Sequence, residues 1–70
     1  MNNNLAKLLT LSPGNKFRYG AHKYLVVAPT RDMLYLTGRS STWCADIISG
    51  ELCYINSNEV VVVEGVNDKW

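Results

Sequence analysis

In the second half of the chain, apolar residues are concentrated in three short runs with the length of β-strands. Bulky and β-branched side chains fill these three runs. Gly, Ser and Asn, which are common in tight turns, separate them. In the last run, the valines of residues 60–63 do not alternate, which predicts that both faces of this strand are covered. The predicted strands are residues 43–48, 51–55 and 59–64, with turns at 49–50 and 56–58.

The first half of the chain predicts three further short strands. Pro13 and Gly14 suit the two central positions of a type II turn, so a strand can start soon after them. The polar segment 38–41 is predicted to be a mobile loop that leads into the second half. The strands are residues 16–19, 23–28 and 33–37, with turns at 20–22 and 29–32.

The N-terminal segment has the spacing of a short helix. Leu5, Leu8 and Leu9 stand at positions i, i+3 and i+4, and Asn4 is a suitable N-cap. A helix of about two turns is unstable alone, so its leucines are expected to dock on the sheet. The alternative is that this leucine stripe binds a partner.

These elements predict a mainly β protein. We expect a small antiparallel SH3-like barrel of five to six short strands with a short N-terminal helix, because closure of a sheet removes its exposed edges. The alternative is an open sheet of four or five strands against the helix. The chain is interpreted as a single domain over residues 1–70, with the helix at 1–11, the barrel at 16–64 and a tail at 65–70.

Composition agrees with a small globular domain. The chain has 70 residues, of which 47% are hydrophobic and 19% charged, too apolar for a disordered chain. No apolar run reaches the roughly 20 residues of a membrane helix, and the first residues lack the pattern of a signal peptide. The expected location is the cytoplasm. A domain this small has a marginal core, which a homodimer would help to stabilise.

The two cysteines are predicted to be buried, reduced thiols. A two-residue turn at 49–50 would pair Cys44 with Ile55 and Asp46 with Cys53. The cysteines would then be diagonal neighbours about 7–8 Å apart at Cα, beyond easy reach of a disulfide. Two Cys and one His in no known ligand spacing do not predict a metal site.

The residues do not predict an enzyme or a cofactor. His22 lies in a predicted turn, where a solvated role is expected. The hydroxyls of residues 40–42 have no base nearby in sequence, and no glycine-rich phosphate loop is present. Asp46 and Glu51 share a face of the predicted hairpin, but they are interpreted as solvated or salt-bridged carboxylates rather than a catalytic pair.

Charge is distributed unevenly along the chain. Net charge is +1, with +5 in residues 1–39 and −4 in residues 40–70. A basic surface with stacking aromatics such as Tyr35 or Trp43 would suit a nucleic-acid-binding barrel. The pI of about 7.8 and the acidic second half argue against that alternative. Its candidate residues are Lys16, Arg18, Lys23, Arg31 and Arg39.

Protein binding is the favoured function. Four Tyr, two Trp and two Met in a small chain give more aromatic and sulfur-containing surface than its core can cover. The same excess could form a homodimer, and an exposed strand edge could pair with a copy or with a target strand. Trp43 is the candidate most expected to be core instead. The candidate contact residues are Arg31, Met33, Tyr35, Arg39, Trp43 and Trp70.

Two stretches carry a resemblance to a known family. Residues 8–26, LLTLSPGNKFRYGAHKYLV, and residues 44–54, CADIISGELCY, resemble the opening and closing halves of small bacteriophage-encoded SH3-like barrel proteins. The similarity covers roughly residues 5–64 and consists of turns and apolar positions, while the loop at 38–41 has no counterpart. The resemblance implies a phage accessory protein without enzymatic activity. Such proteins bind and block host proteins, including antiviral-defence components such as CRISPR effectors.

Overall fold

A computed structural model describes residues 4–66 of the chain. The expectations for the first three residues, for the tail beyond residue 66 and for Trp70 lie outside these residues. A single turn of 3₁₀ helix, called the 3₁₀ turn below, is formed by Leu8–Thr10. The other elements are β1 (Leu5–Lys7), β2 (Asn15–Tyr19), β3 (His22–Val26), α1 (Arg31–Thr37), β4 (Ser41–Asp46), β5 (Leu52–Asn56) and β6 (Val60–Val66).

The strands form one antiparallel sheet in the order β1-β6-β2-β3-β4-β5. The prediction of a mainly β, antiparallel protein is confirmed. Within residues 4–66 the sheet is open, with β1 and β5 at its two edges, so closure into a barrel is not observed. The backbone of the 3₁₀ turn approaches the β5–β6 connection, where Leu8 N–H donates to the Glu59 carbonyl and Leu9 N–H to that of Ser57.

The helix predicted at the N-terminus is wrong for the described part of that segment. Leu5 pairs with Val62 and Lys7 with Val60, so β1 extends the sheet beside β6. This pairing satisfies backbone groups along one side of β6, whereas an isolated helix of two turns is barely stable. Of the three leucines in the predicted stripe, only Leu8 is buried.

The strand predicted at residues 33–37 is also wrong, because this segment belongs to helix α1. The Thr30 hydroxyl accepts a hydrogen bond from the Met33 N–H, and the Thr30 N–H donates to Met33 Sδ at 3.3 Å. Asp32 in the first turn also favours a helix, since carboxylates stabilise the N-terminal end. Gly38, with φ +69°, ends the helix. These local caps outweigh the apparent strand pattern.

The β4–β5 hairpin has a longer loop than predicted. Strand β4 ends at Asp46 and β5 begins at Leu52, rather than meeting at a two-residue turn. The Asp46 carboxylate accepts from the N–H groups of Ile48 and Ser49 at 2.8 and 3.1 Å, which stabilises the wider loop. Pairing shifts by two positions, so Cys44 lies directly opposite Cys53. The prediction that these cysteines are diagonal and out of reach is wrong.

The core has one residue from each of five elements, the 3₁₀ turn and strands β2, β3, β4 and β6. The Phe17 ring stacks on its cross-strand partner Tyr24 with centroids 5.4 Å apart. In β6, Val61 is buried while Val60 and Val62 are exposed, so the prediction that both faces of this strand are covered is wrong. The core residues are Leu8, Phe17, Val26, Cys44 and Val61.

Neither helical element of residues 4–66 has the length and apolar character that a membrane span requires.

Candidate protein-binding surface

Helix α1 presents large apolar side chains to solvent. None of its seven residues is buried, and its half-buried positions include Leu34 and Thr37. Tyr35 is 91% exposed and Leu36 is 79% exposed, the largest exposures among the bulky apolar residues described apart from Ile48. Single exposed apolar residues are common, but two adjacent ones on a short helix form a patch that a partner can cover.

The helix is tied to the sheet through Trp43 of β4. The indole N–H of Trp43 donates to Thr37 Oγ1 at 3.1 Å. The Trp43 ring also packs on Tyr54 of β5, with centroids 5.1 Å apart and planes tilted by 59°. Trp43 is only 8% exposed. Helix α1 and strand β5 therefore both contact one buried indole, which limits how far they can move relative to each other.

Edge strand β5 adds a second exposed apolar group. Leu52 and Tyr54 alternate with the half-buried Cys53 and Ile55, so they share the exposed face of the strand. Tyr54 is the residue that contacts Trp43, which connects this face to α1. We call the combined set the α1–β5 surface. It consists of Arg31, Tyr35, Leu36, Arg39, Leu52 and Tyr54.

The α1 part of this surface is basic. Arg31 at the start of the helix and Arg39 just after it are both exposed, and Asp32 is the acidic residue of the helix. Arg31 and Tyr35 are four residues apart and therefore lie on one face of α1. Guanidinium groups beside an exposed aromatic ring can combine charge-assisted hydrogen bonds with apolar contact.

The contact residues predicted from the sequence differ from one another in their exposure to solvent. Arg31, Tyr35 and Arg39 are exposed in or beside α1. Met33 is half-buried and contributes to the helix cap instead. Trp43 is buried, which confirms the expectation that it is core rather than exposed, and it contacts both Thr37 of α1 and Tyr54. Trp70 lies outside the described residues.

Sequence reasoning missed three members of the α1–β5 surface. A strand at residues 33–37 would put Leu36 on the same face as the half-buried Leu34, whereas in helix α1 Leu36 is exposed. The cap at Thr30 was the available signal for the helix. Leu52 and Tyr54 were missed because the pattern of residue types cannot show that β5 is an edge strand.

Some of the basic residues predicted for the nucleic-acid-binding alternative are buried or ion-paired within the protein. Lys16 is only 5% exposed, and Arg18 forms an ion pair with Glu64 at 3.3 Å. Lys23 is directly opposite Arg18 in the β2–β3 hairpin and is exposed. The other two members, Arg31 and Arg39, belong to the α1–β5 surface. A continuous row of solvent-exposed cations along the strands is therefore interrupted at Lys16.

Several titratable groups outside this surface have structural partners. His22 Nδ1 lies 3.1 Å from Asp46 Oδ2. The backbone N–H of Ser49 is the main cause that lowers the pKa of Asp46, and the N–H of Ile48 and His22 add to it. The Tyr19 hydroxyl donates to Glu59 Oε1 at 3.0 Å, which raises the pKa of Tyr19. Among residues 4–66, no three His, Cys, Asp or Glu side chains converge as metal ligands would.

Comparisons with protein families, with curated proteins and with solved structures find no match for this chain. Its functional interpretation rests on the α1–β5 surface itself.

Proposed function

We propose that this protein is a non-enzymatic, phage-type accessory protein that binds a host protein through the α1–β5 surface and blocks its function. The single observation that carries the proposal is the 91% exposure of Tyr35 next to the exposed Leu36 on a capped helix. Tyr and Arg are the residues that most often dominate binding energy at interfaces, and here they occur together. The site of action we propose is the cytoplasm of the host cell, where antiviral-defence components are among the candidate targets.

The residue types on the α1–β5 surface indicate which kind of partner surface would be complementary to it. Tyr35 and Leu36 suit an apolar recess, because burying large side chains provides most of the favourable free energy of association. Arg31 and Arg39 suit carboxylates at the rim of that recess, where opposite charges speed association. The proposed partner is therefore a protein with an acidic rim around an apolar depression.

We also propose that the sheet is a variant of the SH3-like barrel. The supporting observation is that β6 returns beside β2 after the β2-β3-β4-β5 meander. The backbone bonds from Leu8 and Leu9 to the β5–β6 connection support it as well, because they bring the 3₁₀ turn across toward the far end of the meander. In this arrangement β5 remains an edge and stays available to a partner.

The test is an affinity pull-down from bacterial lysate, washed with and without nuclease and at low and high salt. We expect one host protein to be retained after nuclease and high salt. The variant Arg31→Ala/Tyr35→Ala/Arg39→Ala should weaken its binding by at least about 100-fold, since contact residues of this kind cost roughly 2 kcal/mol each when they dominate an interface. Its melting temperature should stay within a few degrees of the wild type, because all three side chains are exposed.

A matched control is Lys7→Ala/Leu9→Ala, which removes an exposed cation next to the 3₁₀ turn and an exposed apolar side chain within it. This control should bind like the wild type. Unchanged affinity in the folded triple variant would overturn the assignment of the surface. Bound material that disappears with nuclease, or nucleic acid whose retention falls steeply with salt, would establish the nucleic-acid-binding alternative. A stable homo-oligomer without a host target would indicate a structural or assembly subunit.

A further inference from the structure

The two cysteines face each other across the β4–β5 hairpin. Cys44 and Cys53 are direct cross-strand partners, and their sulfur atoms are 3.6 Å apart. Both are free thiols in this structure. Two thiols on adjacent strands can be joined without moving any other element, provided that the backbone spacing fits.

The Cα spacing of this register lies within the range that disulfides span. The N–H of Asp46 donates to the Glu51 carbonyl, and the N–H of Ser57 donates to the Ser40 carbonyl. Each bond joins two residues that stand opposite each other in the same register as Cys44 and Cys53. Asp46 and Ser40 lie an even number of residues from Cys44 along the chain. The alternation of antiparallel ladders then puts the cysteines at a hydrogen-bonded position, with Cα atoms about 5.5 Å apart. Disulfides are most common at Cα separations of roughly 5.5–6 Å.

The two cysteines differ in their exposure to solvent. Cys44 is fully buried among the core residues, whereas Cys53 lies half-buried on edge strand β5. A reagent in solvent therefore reaches Cys53 first, and Cys44 is positioned to attack whatever bond Cys53 forms. Burial and the contact with Cys53 raise the pKa of the Cys44 thiol, so Cys44 does not react first with reagents. Its attack on Cys53 depends on the 3.6 Å separation of the two sulfur atoms, which compensates for the small thiolate fraction.

We propose that Cys44 and Cys53 form a reversible dithiol–disulfide site that exchanges with low-molecular-weight disulfides such as oxidised glutathione. The Cys53 thiolate attacks one sulfur of oxidised glutathione, which breaks its S–S bond and releases one glutathione thiolate. The Cys44 thiolate then attacks Cys53 Sγ, forms the intramolecular bond and releases the second glutathione. The two protein sulfurs lose two electrons, the glutathione disulfide gains them, and the two protons end on the two glutathione thiols.

The bond would lock the register of the hairpin that positions the α1–β5 surface. Trp43 and Tyr54 are the next pair along the ladder, so the covalent link lies beside the contact that holds α1. Closing a short loop in the unfolded chain should raise the melting temperature by about 10 °C, and reduction should reverse the change. This inference does not depend on the proposed function, since it concerns only the hairpin.

The experiment incubates the native protein in buffers with graded ratios of reduced to oxidised glutathione. Free thiols are then alkylated, and intact mass and non-reducing peptide maps are recorded. We expect a monomer lighter by two hydrogens, with no alkyl group and with the peptides of Cys44 and Cys53 linked. Wild-type protein that stays fully alkylatable, or that stops at a persistent glutathione adduct, would overturn the proposal, as would an oxidised form that melts below the reduced form.

Two variants separate the roles of the sulfurs. Cys44→Ala should accumulate a stable glutathione adduct on Cys53, because the second thiol is missing. Cys53→Ala should remain almost unmodified, because Cys44 is buried. Adduct formation at Cys44 in folded Cys53→Ala would contradict the proposed order of attack. The wild-type mass measurement decides the proposal even where the core substitution at Cys44 impairs folding.

Discussion

The indole N–H of Trp43 donates a hydrogen bond to the Thr37 hydroxyl across 3.1 Å. This bond joins the last turn of α1 to the centre of β4, between two residues that are close in sequence but belong to different elements. Because the indole is almost fully buried, its N–H has little access to water as an alternative partner. The bond therefore contributes both to stability and to the position of the exposed face of α1.

Replacing Thr37 with Val should lower the free energy of unfolding by about 1–3 kcal/mol. Val keeps the shape of Thr but leaves the Trp43 N–H without its acceptor, which carries a desolvation cost of that size. Thr37→Ser keeps the hydroxyl and should lose much less. Urea denaturation of both variants measures the difference, and equal stability of Thr37→Val and wild type would show that the N–H finds another acceptor.

Leu8→Ala should destabilise the protein strongly, while Leu9→Ala should not. Leu8 is 0% exposed in the core and Leu9 is 56% exposed. Large-to-small substitutions in a core cost about 2–5 kcal/mol, whereas surface changes usually stay within about 0.5 kcal/mol. Thermal and urea unfolding give both values. The helix predicted from the sequence would make the two leucines similar, so comparable losses would argue for that helix and against the 3₁₀ turn.

Asp46→Asn should remove part of the acid sensitivity of folding. The pKa of Asp46 is lowered in the folded protein, chiefly because the Ser49 N–H donates to its carboxylate. A carboxyl with a lowered folded pKa adds stability above its unfolded pKa of about 3.9, and that stability is lost as the pH falls through the folded pKa. The free energy of unfolding of the wild type should therefore exceed that of Asp46→Asn most near neutral pH, and this difference should shrink below about pH 4.

The check for Asp46 is a series of urea midpoints measured from neutral to acidic pH. His22→Ala is the matched control, since it removes the imidazole partner but keeps both backbone donors of the loop. It should retain most of the pH dependence that Asp46→Asn loses. A His22→Ala profile identical to that of Asp46→Asn would mean that the imidazole, rather than the loop backbone, is the main partner.

The strands of the second half could be predicted closely because each is a run of β-branched and aromatic residues between turn residues. Residues 43–48, 51–55 and 59–64 correspond to β4, β5 and β6 with shifts of only a few positions. The hairpin register could not be predicted in the same way. It depends on how Asp46 caps the loop, and either loop length keeps the same side chains on the same face.

Only part of the α1–β5 surface could be predicted from the sequence. The residue types of Arg31, Tyr35 and Arg39 predict contact residues, and the structure has all three exposed. Their setting on a helix was missed, because Met33 to Leu36 are apolar without interruption and fit a strand or a helix equally well over so short a length. The role of Trp43 depends on a contact with Thr37 that no periodicity encodes.

By itself, the sequence determined that the chain is mainly β, where most strands lie and which side chains share a strand face, because a two-residue period and turn residues are local properties. Only the tertiary structure decided that Leu8 is buried while Leu9 is exposed, that Cys44 meets Cys53 and that Trp43 links α1 to β5. These features depend on which strands become neighbours. That choice is made by packing and backbone hydrogen bonds between segments far apart in the chain, so no local pattern contains it.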